Sequence, residues 1–443
     1  GDHRDLHSFP TRRSSDLRSG PWVFVPKKEE AFLEKLKRNC TELGAIPGLV
    51  VGFRGIETGG DRFFQFNKIA PGKYRRIAAS QVEEWELEDQ LLKPLVSGPQ
   101  AKRYEYPSTD VFVLFPWKIE NEKPRLISQA EMVGQYPQVW RYLLSFEDEL
   151  RAREKGYMDK DDGWWGYNRP MNLEKQGKRK LGIAQTVKCM QVFYDDSGEM
   201  YFNNVRVGGI LVPDDSDAWF LLGVLNAPVA DFVFRRISKA KSGGYFEANK
   251  QFLQPLPIPP ANPEEKQQVG ELAKRLQELH TARRDKLLLI DQRLSSDQTA
   301  EDKDFKKALN ADLAAIDMRL HPGAVLSVEH STGELRFLVG GVPVINDVFV
   351  DESAIDFLVA QWRHIARTTS VTEKFTGKKL VGALEKVRKT DNAALKSQVV
   401  RLDREIQDLD QEIEIAESAM NDLVYGLYEL TDEERKMVEA DRN

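Results

Sequence analysis

The stretch from Ala218 to Pro263 constrains the chain more than any other. Ala218 to Ile237 reads as a largely apolar helix. Pro228 kinks it, because proline removes a backbone donor and crowds the preceding turn. A basic turn follows at Arg235, Arg236, Lys239 and Lys241, then the Gly243-Gly244 break, the aromatic anchor Tyr245-Phe246 and the run NKQFLQPLPIPP. Pro255, Pro257, Pro259, Pro260 and Pro263 mark a boundary, since proline continues neither a helix nor a ladder.

A chain of 443 residues suggests two or three domains. No run of about 18 apolar residues occurs, so no membrane-spanning helix is expected. Cys40 and Cys189 stand far apart and form neither a metal-ligand pair nor a disulfide framework. A reducing, cytoplasmic setting is the expectation. The first seventeen residues, GDHRDLHSFPTRRSSDL, lack periodicity and resemble translated sequencing-adapter DNA. They are expected to be a non-native leader, which would make the chain a fragment whose natural sequence continues upstream.

The net charge is −6, but it is unevenly spread. Residues 18–260 hold 35 basic and 32 acidic side chains, whereas 261–443 hold 26 and 35. Any nucleic-acid surface therefore belongs to the first part, where it relies on local clusters.

Periodicity predicts a helix over Lys27 to Asn39 and strands over Leu49 to Arg54 and Arg62 to Asn67, joined by GIETGG as a tight hairpin. Asp110 to Pro116 is a strand with apolar side chains on both faces, and Tyr136 to Lys155 is one helix. Short strands flank the DDSG turn within Lys180–Phe193 and Glu199–Pro213. Helical spacing resumes from Pro263 to Leu294. Val325 to Val350 reads as strands with turns at Ser331-Thr332-Gly333 and Gly340-Gly341, before a helix over Ala354 to Arg367. Within Lys396 to Val424, Val399, Leu402, Ile406, Leu409, Ile413 and Ala416 repeat at close to 3.5 residues, which predicts a helical hairpin or short coiled coil with Pro263–Leu294. The fold class is α+β. A mixed α/β domain over 21–260 precedes a helical spacer over 261–320, a small α+β insertion over 321–395 and a C-terminal helical region over 396–443.

Four segments carry candidate contacts. GFRGIETGGDRFFQF presents Arg54, Thr58 and Arg62 around a glycine turn that lets backbone approach a partner closely. LLKPLVSGPQAKRY ends in Lys102, Arg103 and Tyr104, a pairing suited to phosphate contact and stacking. WWGYNRPMNLEKQGKRKLGIAQT holds Asn168 and Arg169, whose donors suit adenine or guanine edges, and Lys178, Arg179 and Lys180, which suit phosphates. RRISKAKSGGYFEANKQF sets Arg235, Arg236, Lys239, Lys241 and Lys250 around two glycines, although a basic helix end also suits the helix dipole without any partner.

In order and spacing these segments resemble the TaqI-like C-terminal specificity domain of type IIG restriction–modification and BREX-type adenine-specific DNA methyltransferases. The matching pieces are RGIETGGDRFF, LLKPLVSG with KRY and DVFVLFP, YPQVWRYLLSFEDELRAR, GWWGYNRP with KRKLGIAQ, FNN with GGILVP, and LLGVLNAP running into GGYFEANKQFLQPLPIP. The tail NDLVYGLYELTDEERKMVE resembles the end of the same enzymes, whereas 325–388 matches no part of them.

The resemblance implies a DNA reader, double-stranded DNA as partner, and a methyltransferase domain, fused upstream or separate, that uses S-adenosylmethionine. This chain departs from that enzyme in its chemistry. It has no Asn-Pro-Pro-Tyr or Asp-Pro-Pro-Tyr to hold a flipped adenine and no G-x-G loop for the cofactor. His280, His321, His330 and His364 show no metal spacing. No catalytic, cofactor-binding or metal residue is assigned. The alternatives are a standalone specificity subunit and a helical scaffold without DNA binding, the latter favoured by the small basic excess.

Overall fold

The computed structural model describes residues 27–77, 81–204, 206–309 and 311–441, so the expected leader lies outside them. The fold is α+β, as expected. Two compact units divide the chain: one runs to Glu278 and resumes from Ala416, and the other is Leu279–Ile415.

The first unit contains two larger sheets. A four-stranded antiparallel sheet has the order Val192–Asp195, Lys180–Ala184, Val207–Leu211, Val50–Arg54. A six-stranded sheet has the order Tyr201–Phe202, Leu92–Val96, Val111–Leu114, Gln65–Ala70, Lys73–Arg76, Glu84–Glu86. The expected hairpin between Val50–Arg54 and the next strand does not form, because its two arms belong to different sheets. Residues Asp61–Phe64 turn as a short helix instead, burying Phe63 and Phe64. The glycine segment is thus a crossover between sheets.

The expected helix over Tyr136–Lys155 is broken. Pro137–Leu144 and Glu147–Arg151 are helical, and the chain then takes left-handed backbone at Glu154 (φ 51°) and Lys155 (φ 57°). The apolar helix bends as predicted. Asp215–Asn226 and Pro228–Ile237 meet at 68°, and Asp214 caps the first by accepting from the backbone N–H groups of Ser216 and Asp217. Residues 218–234 are buried without exception. No single helix among the described residues is long and apolar enough to cross a membrane. The proline run does not hang free: Pro257–Ile258 pairs with Thr41–Glu42, and the Tyr428 hydroxyl donates to the Pro257 carbonyl at 2.6 Å.

The aromatic core of this unit centres on Phe64, Phe66, Tyr74, Tyr142, Trp165 and Tyr167. Trp165 donates its indole N–H to the Ile127 carbonyl at 3.0 Å, and the Tyr167 hydroxyl donates to the Leu114 carbonyl at 2.6 Å. Both rings bury their apolar bodies and satisfy their one polar group, as interior Trp and Tyr must.

In the second unit, Leu326–Ser331, Glu334–Val339 and Val342–Phe349 form an antiparallel meander turning where the sequence predicts. Glu352–Thr368 supplies Trp362, which is wholly buried against Phe305 and Phe337. Leu287, Ile290, Leu395, Val399, Leu402 and Ile406 share a second cluster with Phe357 and Ala360, so the helical parts of 279–294 and 393–415 bury their repeating apolar faces. Asp403, 3 % exposed, accepts from Arg363 at 3.1 Å and Arg367 at 2.6 Å. His364 meets Asp291 at 2.6 Å.

Candidate nucleic-acid interface

The fifteen residues singled out in the sequence separate into an inward and an outward set. Lys180 is the clearest correction. It is 0 % exposed, and its ammonium donates to Asp195 Oδ2 (2.7 Å) and to the carbonyls of Gln176 (2.6 Å) and Lys178 (3.0 Å). Burial pushes its pKa down, opposed by the Asp195 carboxylate. It opens a strand buried on both faces, so it cannot meet a phosphate.

Arg103 is also turned inward. It donates to the Asn226 carbonyl at 3.2 Å, pairs with Glu417 and covers the Tyr104 ring. Tyr104 is wholly buried and donates to the Gly223 carbonyl, so no base can stack on it. Arg236 is held by Glu29 (2.9 Å) and Asp441 (3.1 Å), and Arg235 by Asp231 (2.9 Å). The tryptophans of GWWGYNRP are core, not a stacking surface.

Arg54, Arg62, Lys239 and Lys250 are exposed and make no side-chain ion pair with another described residue. Lys102, Arg169, Lys178, Arg179 and Lys241 are exposed but each faces a carboxylate: Glu105 (3.9 Å), Glu57 (2.9 Å), Glu122 (2.8 Å), Asp215 (3.4 Å) and Glu247 (3.1 Å). Such pairs are weak enough for a phosphate to replace the carboxylate.

Three loops converge around Thr58. Thr58 is a further correction: it is buried, and its hydroxyl donates to Asp61 at 2.5 Å and accepts from the Gly60 N–H at 3.0 Å, so it fixes the crossover turn and does not face DNA. The backbone N–H of Asn168 donates to the Thr58 carbonyl, and Glu57 bridges to Arg169. Gly59, at φ +65°, lies flat against the Asn168 amide, and a Cβ there would sit 2.1 Å from Asn168 Cγ.

Arg153 fastens these loops together. Its guanidinium donates to the carbonyls of Leu150 (2.9 Å), Thr58 (3.2 Å), Trp164 (2.6 Å) and Gly166 (2.9 Å), and it faces the Phe64 ring. Burial pushes it down to about 10. The sequence reading missed it because the helix was carried through to Lys155. The available signal was Glu154-Lys155-Gly156, a charged pair before a glycine, which marks a helix end.

Held in this way, Glu154, Tyr157, Asn168 and Arg169 line an open depression of about 310 Å³. Arg169 has 60 % of its side chain exposed. Asn168 is more constrained: its Nδ2 donates to Glu154 Oε1 at 2.9 Å, and its Oδ1 is buried without a partner among the described residues. Its amide reaches outward only by releasing Glu154.

A second exposed site is a three-stranded ribbon, Thr186–Val187, Tyr245–Glu247, Ala240–Lys241. Its tip holds Gly243 (φ +74°) and Gly244 (φ +71°). Lys241 lies opposite Tyr245, and the Lys188 ammonium sits 5.4 Å from the Tyr245 ring centre on the other side. Lys250 opens the next helix with its Cα against Gly52, where a Cβ would approach within 2.7 Å. Lys188 is a second residue that the sequence reading passed over, since it lies beyond the KRK run. No metal-binding group of three or more His, Cys, Asp or Glu occurs among the described residues.

No protein-family model matches the chain. Over 172 residues, 37 % of the chain, it is 24 % identical to the type II restriction enzyme and methyltransferase RM.Eco57I of Escherichia coli. The chain spans only 17 % of that enzyme. Among solved structures it is similar to the type IIG restriction endonuclease BpuSI, with a TM-score of 0.36 and 15 % identity, covering 56 % of this chain and 28 % of that one. That score is too low to equate the two folds. The sequence match makes this chain a distant relative of restriction–modification enzymes.

Proposed function

We propose that the first unit is the DNA target-recognition part of a site-specific adenine-N6 methyltransferase of the type IIG or BREX kind. The observation that carries this reading is the sequence relation to a restriction enzyme and methyltransferase. The geometry supports it with an outward guanidinium at Arg169, set on loops fastened by Arg153, and a lysine-bearing ribbon in the same unit.

The mechanism is placement. Lys239, Lys241, Lys250 and Lys188, with Arg54, Arg62, Lys102, Lys178 and Arg179, grip phosphates and fix the register of the duplex. Arg169 reads a base edge, and Asn168, with Thr58, holds the reading loop in shape. The methyl transfer itself belongs to a catalytic domain outside this chain, where S-adenosylmethionine would supply the methyl group. This chain has neither the glycine loop nor the Asn-Pro-Pro-Tyr motif for that step, so no residue here is assigned to it.

The test is duplex binding by the full chain across a salt series. Counterion release predicts a steep fall in affinity with salt. Binding that is absent at low salt, or indifferent to salt, would exclude the DNA-reading role and leave the scaffold alternative.

A further inference from the structure

Resting on that DNA-reading function, we infer that the depression beside the Thr58 turn recognises one G·C base pair, with Arg169 donating to guanine and Glu154 accepting from cytosine. Both signs of charge line it. Arg169 commits Nη1 to Glu57, and a guanidinium carries five N–H donors, so most of its fork stays available. Glu154 accepts from Asn168 on Oε1, and a carboxylate has a second oxygen with its own lone pairs.

This lining is a poor one for a phosphate, because the Glu154 carboxylate in it repels an anion and Glu57 already offsets the charge of Arg169. It is also wrong for an apolar ligand, because covering the Arg169 guanidinium and the Glu154 carboxylate with one would strip water from both charges. A base edge is neutral and presents donors beside acceptors. In the major groove guanine offers its N7 and O6 acceptors and cytosine its N4 donor. A guanidinium next to a carboxylate is the complement of that pair. Thymine would set its O4 acceptor against Glu154, and a reversed pair would set the cytosine amino group against Arg169.

The groups are held in place before any ligand arrives. Glu154 sits on a left-handed turn with Lys155 (φ 57°) and Gly156 (φ 85°), and its bond to Asn168 ties it to the loop that carries Arg169. Backbone held in this sparsely populated region is found where surrounding structure fixes a functional group. Tyr157, 63 % exposed with the Lys160 ammonium 4.0 Å from its ring centre, walls one side.

The test uses the full chain and a pool of randomised DNA duplexes, sequencing the bound fraction for the wild type, Arg169→Ala, Glu154→Gln and Glu122→Gln. The wild-type motif should contain one G·C pair whose preference falls in both Arg169→Ala and Glu154→Gln. The expected fall is roughly 5- to 150-fold, the worth of one such base contact. Glutamine offers a donor as well as an acceptor, so it tolerates thymine O4 at that position. Glu122→Gln removes an exposed carboxylate elsewhere in the unit and should leave the motif unchanged. An unaltered motif in Glu154→Gln, with the wild-type salt slope retained, would overturn this inference alone. So would an equal change in Glu122→Gln, which would make the effect one of net charge. If the wild type enriches no sequence and binds no duplex, the DNA-reading function fails along with it.

Discussion

The loops around Thr58 and the ribbon carrying Gly243 and Gly244 present positive charge in different proportions of free and carboxylate-paired side chains. At the loops, the two donors that line the depression are buffered: Arg169 faces Glu57, and the Asn168 amide faces Glu154, whereas Arg54 and Arg62 beside them make no ion pair with another described residue. At and beside the ribbon, Lys239 and Lys250 have no carboxylate partner among the described residues, Lys188 faces the Tyr245 ring, and Lys241 alone of these four pairs with a carboxylate, Glu247. A free ammonium on a flexible stem suits a phosphate, which asks for charge and little geometry. A guanidinium held by one carboxylate has its fork aimed and its field weakened, which suits a neutral base edge. The lesson is that counting cations does not locate a reading site. Facing a carboxylate does not mark a reader by itself, since Lys102, Lys178, Arg179 and Lys241 do so as well; Arg169 differs in lining the depression beside Asn168 and Glu154.

That contrast can be broken at several points. The largest effect is expected from Lys180→Ala, which strands the buried Asp195 carboxylate and should cost about 3–5 kcal/mol in denaturant unfolding. The protein that remains folded should bind duplex as the wild type does. A specific loss of DNA binding would return Lys180 to the interface. Next, Arg153→Met removes the donor to four carbonyls and should cost about 3 kcal/mol. Hydrogen exchange should then quicken at the amides of Gly60, Gly166 and Asn168, and sequence preference should relax while the salt slope holds. Unchanged exchange there would mean that Arg153 is not the fastener.

Smaller still is the joint change Lys239→Ala with Lys250→Ala. It should leave unfolding untouched and weaken all duplexes alike, flattening the log–log salt slope by about 0.9 for each phosphate that is no longer neutralised. A change in sequence preference instead would merge the gripping ribbon with the reading loops. The smallest effect is expected from Lys178→Ala, whose partner Glu122 is itself highly exposed. It should lower the slope by no more than a single phosphate accounts for.

How much the sequence disclosed follows from how local each signal is. The meander of 326–349 was legible because its turns and strands are adjacent in the chain. The helices Lys27–Asn39 and Pro263–Leu294 were legible from apolar spacing between charges. The crossover at Thr58 was not, because Val50–Arg54 pairs with the distant Val207–Leu211, while Gln65–Ala70 pairs with its neighbour Lys73–Arg76 and with the distant Val111–Leu114 in another sheet. Nothing between Arg54 and Gln65 records that choice. The KRK run shows the same limit for the site. Lys178 and Arg179 are outward and Lys180 is inward, a difference set by Asp195 fifteen positions on. The identity of Arg169 as a candidate was legible from its donor chemistry. Its dependence on Arg153 and Glu57 was not, since those interactions exist only after the loops converge.

The most direct test of the central claim is duplex affinity of the full chain measured across a salt series, alongside Arg169→Ala and the Lys239→Ala/Lys250→Ala variant. A DNA-reading first unit predicts a steep negative salt slope in the wild type. The lysine variant should show a flatter slope, and Arg169→Ala should keep the wild-type slope while losing preference among duplexes. Binding that ignores salt, or slopes that are identical in all three proteins with the same duplex preference, would contradict it.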